Sequence, residues 1–272
     1  MTGGATRVRS WAAAAARHRR VGPVVAVLRR DLAAGGSLLA AALAFRLFVW
    51  LLPCCLLMTA ILGFTASGGY PIAEVARDRG LGPFTVSALD QVASQAERGR
   101  YVTGALGLGL LLVAGLSLGR ALDRVHGRTR GRAPNPRFWP TIVRGLRYTG
   151  VLLVFVAVNV TAPATALPAP VTVVASLVLH VALAVVLLGG DWPPRWRRDL
   201  PGAVLLAVGA LVLNLVAVLY LPRSLARASQ LYGTLGIAAT MLVWLALIAR
   251  LVVLGQVVNA VLDEARGQLT RD

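Results

Sequence analysis

Long stretches without charge alternate along this chain with short stretches crowded with arginine. Residues 47–73, 101–119, 148–190, 200–222 and 228–249 contain no Asp, Glu, Lys or Arg. A helix that crosses hydrocarbon needs about 20 apolar residues. The run from 148 to 190 is too long for one crossing, and its proline-rich centre, 163–170, breaks it into a helical hairpin. The pattern therefore predicts six spans, at about 38–64, 101–119, 142–162, 171–189, 201–221 and 236–258. The expected fold class is all-α, a polytopic membrane protein with short amphipathic helices on the outer side. Its expected divisions are a basic segment at 1–32, a transmembrane domain at 33–262 and a tail at 263–272.

The connections carry the orientation. Alternate segments hold 20 arginines on one side and six on the other. Arginine-rich connections stay cytoplasmic, so both termini are expected inside. On the outer side, residues 83–98 place Val86, Leu89, Val92 and Ala96 on one stripe, which predicts an amphipathic surface helix. Residues 222–232 predict a shorter one, with Tyr220 and Tyr232 at headgroup level.

Composition agrees: 57% of residues are hydrophobic and 14% charged, against about 25% charged in soluble domains. The net charge is +17, and all the basic residues are arginine, in keeping with a GC-rich bacterial genome. The positive-inside rule accounts for the charge, so no nucleic-acid partner is expected. The expected partners are membrane lipids, above all anionic phospholipids on the cytoplasmic side. Trp139, Trp192 and Trp196 are expected interface anchors. Cys54 and Cys55 adjoin within an apolar run and are expected to pack, not to bridge. The one apolar patch before residue 31, at 11–16, is too short for a signal core, so no cleavable leader is expected.

Two arginines fall inside spans, Arg46 and Arg250, and no span holds a carboxylate to pair with them. A charge in hydrocarbon costs at least ~2.5–3.5 kcal/mol, which suggests a polar cavity between the first and last spans. Arg46 shares a helical stripe with Trp50 and Pro53. The Trp50 ring is placed to meet the guanidinium, and Pro53 breaks the helix. Arg250 lies on a stripe of small residues, which suits packing within the chain or a homo-oligomer. Gly233 and Gly236 break the chain where the last span begins, and transporters bind substrate at such breaks. Asn159 and Asn214 are the amides expected buried inside spans, where they bond across helices or meet substrate. His180 is expected to bond a neighbouring backbone or hydroxyl, and Asp123 to pair with nearby arginines.

Enzyme chemistry finds no support. The histidines His18, His126 and His180 are scattered, and no His/Asp/Glu set has metal-ligand spacing. No nucleophile elbow, phosphate loop or dinucleotide loop is present. Neither a catalytic group, a metal nor a cofactor is expected.

Short motifs near both ends carry a family likeness. The first span reads Leu43-Ala44-Phe45, with Pro53 further on, and the second ends Ala121-Leu122-Asp123-Arg124. The last begins Tyr232-Gly233-Thr234-Leu235-Gly236, passes Trp244 and closes Gly255-Gln256-Val257-Val258-Asn259. In this order they resemble the YihY/BrkB family of bacterial inner-membrane proteins, whose members sometimes carry the label ribonuclease BN. The resemblance implies a six-helix membrane fold and suggests transport. It departs at Asp123, where the family has asparagine, and at Val257, where it often has glutamate. The residues leave two readings open. One is movement of an anionic or amphipathic substrate through an arginine-lined cavity open to the cytoplasm. The other is a non-transporting scaffold or envelope-integrity protein that binds anionic lipid.

Overall fold

A computed structural model describes residues 22–67, 83–131, 138–161, 169–189 and 196–269. The elements among them are helices. They are α1 (Gly22–Ala34), α2 (Gly36–Ser67), α3 (Pro83–Thr129), α4 (Phe138–Thr161), α5 (Ala169–Leu188), α6 (Trp196–Tyr232) and α7 (Thr234–Leu269). Hydrocarbon offers backbone groups no partner, so a crossing segment must satisfy them within itself. Among the described residues, four stretches are long and apolar enough to cross: Gly36–Ile61, Gly99–Thr129, Trp196–Ala217 and Thr234–Arg266. α4 and α5 occupy the positions expected for the third and fourth spans. Residues 163–168 of the proline-rich turn, and Trp192, lie outside the described residues.

Two helices outrun the spans they contain. Residues 83–98 are helical, but they form one continuous helix with the second span instead of a separate element. Proline at the first helical position is tolerated because its missing N–H had no helical partner to lose. Residues 222–232 likewise extend α6, with Pro222 inside the helix. Hydropathy reports where the hydrocarbon ends, and a helix can continue into the polar zone beyond it. The side chains of the stripe at 86–96 lie outside the described set.

α1 falls in the segment counted from sequence as a basic arm. Val24, Leu28 and Leu32 form an exposed apolar stripe on it, while Asp31 and Ala34 are buried. A single residue, Gly35, joins α1 to α2 with φ +67°. Its N–H donates to the Leu32 carbonyl at 3.2 Å and its carbonyl accepts from Leu39 at 3.1 Å. Glycine takes this left-handed cap without a Cβ penalty.

The chain forms two compact units. One comprises Met1–Phe45, Ala121–Pro136 and Val173–Asp272; the other comprises Arg46–Arg120 and Arg137–Thr172. In the first, α6 and α7 pack along their length. The pairing is antiparallel: Arg197 meets Arg266, Arg198 meets Asp263, Gly202 meets Gly255 and Asn259, and Gly209 meets Leu251. Gly233, φ +60°, is the one residue between them. In the second unit, glycines bring backbones together. Gly107 lies against Leu56 and Leu57, Gly115 against Thr149, and Gly119 against Gly145. Small residues permit this where lipid gives helices no hydrophobic reason to associate.

Close approach at these glycines has a measurable consequence. A Cβ on Gly119 would lie 2.5 Å from the Gly145 Cα, and one on Gly202 would lie 2.7 Å from Asn259 and clash with the Gly255 carbonyl. Gly109 has nothing within 4 Å. Gly119→Ala and Gly202→Ala are therefore expected to lose ~1–3 kcal/mol through overpacking. Gly109→Ala is expected to lose nothing and gain up to ~1 kcal/mol of helix propensity. Unfolding midpoints of the purified protein in detergent check the order.

Candidate functional site

Arg250 sits midway along α7, where the surrounding sequence is apolar. Its NH1 donates to Asp31 Oδ1 at 3.0 Å and its NH2 to Asp31 Oδ2 at 2.6 Å. This is the fork-to-fork geometry of strong guanidinium–carboxylate pairs. Asp31 is 7% exposed at its side chain and Arg250 35%. The carboxylate comes from α1, outside every predicted span. Gly36 leaves the room: a Cβ there would overlap the Asp31 carboxylate and lie 2.9 Å from Arg250 NH1.

Arg46 belongs to the other unit. Its NH1 donates to the Ser117 carbonyl at 3.1 Å and also contacts the Ser117 hydroxyl. Trp50, one turn on, is buried, and its indole N–H has no hydrogen-bond partner among the described residues. Pro53 lies inside α2 and is buried. Arg46 and Arg250 thus each have a partner within their own unit.

The other sequence candidates separate. Asn214, expected to be buried, is exposed on α6. Its helix packs on α7 through Gly202 and Gly209, and Asn214 falls on an outward face. Asn159 lies in α4, with its side chain outside the described set. His180 is buried in α5. Gly233 is the α6–α7 joint, whereas Gly236 is buried within the first turn of α7.

Sequence reasoning missed a further polar assembly among the described residues. It lies where the end of α3, the start of α6, the end of α7 and α1 converge in one unit. Arg130 follows α3; its side chain is 6% exposed, and its NH2 donates to Asp199 Oδ1 at 3.0 Å and approaches Asp263 Oδ2 at 3.7 Å. Its NH1 reaches the His126 ring at 2.5 Å, and His126 Nδ1 lies 3.2 Å from Gln256 Oε1. Burial, then the Arg198 charge, pulls the Arg130 pKa below the usual arginine value, and Asp199 opposes them. Arg198 Nε donates to Asp263 Oδ2 at 2.5 Å. Arg30 ties α1 in, donating from Nε to the Thr129 carbonyl at 2.8 Å and from NH2 to Glu264 Oε1 at 2.9 Å.

Amides complete the layer. Asn259 is fully buried; its Oδ1 accepts from the Gly202 N–H at 2.7 Å and its Nδ2 donates to the Asp199 carbonyl at 3.1 Å. Pro201 has no N–H for the carbonyl four residues earlier, that of Arg197, and Arg266 NH1 donates there at 3.3 Å. Gln256 Nε2 donates to the Leu188 carbonyl at 3.1 Å. Val257, at the position of the family glutamate, is fully buried in the same layer. A cavity of about 200 Å³ opens among Arg130, Arg198, Ala260, Asp263 and Glu264.

Long apolar helices with arginine paired at their margins define an integral membrane protein of helical type. Residues 27–272 match the family model of virulence factor BrkB. The chain belongs to that family. No curated protein and no solved structure matches it.

Asn259 and Asn214 are expected to respond differently to substitution. Asn259→Leu removes the side-chain hydrogen bonds to the Gly202 N–H and the Asp199 carbonyl at a fully buried position, at ~0.5–1.5 kcal/mol for each bond. Asn214→Leu on the outward face is expected to stay within about 0.5 kcal/mol of the parent. Detergent unfolding midpoints of the two variants test this; equal losses would contradict the placement of Asn259.

Proposed function

We propose that this chain is a six-span protein of the bacterial inner membrane, with both termini cytoplasmic, that moves an anionic or amphipathic substrate. α2, α3, α6 and α7 supply four spans in this reading, and α4 and α5 the other two. The arginine imbalance between alternate connections supports the orientation. Arg250 is the group that meets the substrate's negative charge, and Gly233 is the hinge of the same unit.

One observation carries the reading. Arg250 holds a carboxylate bidentately while its side chain stays about one-third exposed. A phosphate or carboxylate of a substrate has the same planar pair of acceptor oxygens and suits the same fork. Substrate binding would displace Asp31, and α1 would keep only its Arg30–Glu264 tie to α7. Recognition and loosening of α1 then become one event. Asp31 neutralises Arg250 in the resting protein and removes much of the cost of a bare cation in the membrane.

A second reading rests on a different observation. Arg46 and Arg250 both have protein partners already, Ser117 and Asp31, as clamps in a non-transporting scaffold would. Such a protein would bind anionic lipid through its cytoplasmic arginines at ~1 kcal/mol each. α1, with Val24, Leu28 and Leu32 exposed, would lie in the interface.

Exchanging the charges separates the two. The protein is reconstituted in vesicles containing fluorescent phosphatidylglycerol, and quencher-accessible probe is followed with time. Arg250→Ala is expected to remain folded and lose probe movement. The pair Asp31→Arg with Arg250→Asp is expected to recover thermal stability but not movement, because a carboxylate then occupies the recognition position. Recovery of both would establish the clamp and end the transport assignment of Arg250.

A further inference from the structure

The cavity at the convergence of α3, α6 and α7 holds unspent hydrogen-bonding capacity of both kinds. Arg130 is nine-tenths buried, and its Nε has no partner among the described residues. Arg198 commits only Nε, to Asp263, and its terminal nitrogens make no bond with the described residues. Asp263 uses Oδ2, leaving Oδ1, and Glu264 uses Oε1 on Arg30, leaving Oε2. Donors and acceptors therefore line one space of about 200 Å³. A single bound water needs only ~10–15 Å³ of such space, so one bridging water does not fill it.

The charges select the ligand class. Arg30, Arg130 and Arg198 face Asp199, Asp263 and Glu264, three cations against three anions. A simple anion would add uncompensated negative charge to a balanced cluster, and a simple cation the reverse. Burying unbalanced charge is costly. A ligand carrying both signs keeps the balance. We infer that this cavity binds a phosphate–ammonium zwitterion, the chemistry of a phosphoethanolamine headgroup. Phosphate oxygens take the Arg198 terminal nitrogens, with the buried Arg130 charge beside them, and the ammonium donates to Asp263 Oδ1 and Glu264 Oε2. Glu264, 56% exposed, lies at the open side. The site is separate from Arg46 and Arg250 and does not depend on the transport reading; the test below measures binding, not flux.

Purified protein in detergent is titrated with phosphatidylethanolamine, phosphatidylcholine and phosphatidylglycerol, and with soluble glycerophosphoethanolamine, while the unfolding midpoint is recorded. Phosphatidylethanolamine is expected to raise the midpoint at concentrations roughly tenfold below the other two lipids, the scale of one charge-assisted hydrogen bond. Phosphatidylcholine has no N–H to donate, and phosphatidylglycerol has no ammonium. Stabilisation by glycerophosphoethanolamine as well identifies the headgroup alone as ligand; stabilisation by the lipid only identifies the bilayer as its source. Glu264→Gln, at an exposed position, is expected to fold normally and lose the preference. Equal response to all three lipids, no response to any, or a preference that survives Glu264→Gln and Arg198→Gln would overturn the assignment.

Discussion

A guanidinium in or beside hydrocarbon must be met by a protein partner, and that requirement organises the polar half of this molecule. Left bare at the centre of the bilayer, one would cost ~2.5–3.5 kcal/mol or more. Arg250 is met by Asp31, Arg130 by Asp199, Arg198 by Asp263, and Arg30 by Glu264. Each of these carboxylates comes from a different helix than its arginine, or from the far end of the chain. Neutralising charge and joining helices are thus the same act. Removing one partner of a buried pair costs more than the pair contributes, because the survivor is left uncompensated.

Glycine makes the complementary contribution where no charge is involved. Gly119 against Gly145 and Gly202 against Gly255 bring backbones into contact, gaining dispersion where lipid offers no hydrophobic drive. At Gly36 the two devices meet, since the missing Cβ leaves room for the Asp31–Arg250 pair. Asn259 then stitches α7 to the first turns of α6 through the Gly202 N–H and the Asp199 carbonyl.

Much of the architecture was legible because hydrocarbon thickness imposes a length on every crossing. The charge-free runs marked α2, α3, α6 and α7, and Arg46 and Arg250 stood out as charges within them. α1 was not legible, since a 13-residue helix carrying arginines looks like a basic arm, and its Asp31 was counted as a connection charge. The Arg130 cluster was hidden for another reason: its bonded pairs Arg130–Asp199 and Arg198–Asp263 lie 69 and 65 residues apart, at span ends where arginine is expected anyway. One local signal did exist. Gln256 and Asn259 are polar residues in an apolar helix at the spacing of one turn, and both are buried. Asn214 misled because polarity in a span does not say which way it faces.

The single residue between α6 and α7 limits how this hairpin can deform. With only Gly233 between two helices of 37 and 36 residues, no spare chain exists to absorb sliding of one rod along the other. Relative displacement must be angular, pivoting about a left-handed glycine. A pivot moves distant points most, so a small tilt at Gly233 is magnified at the opposite end, where Asn259, Asp263 and Glu264 approach the beginning of α6.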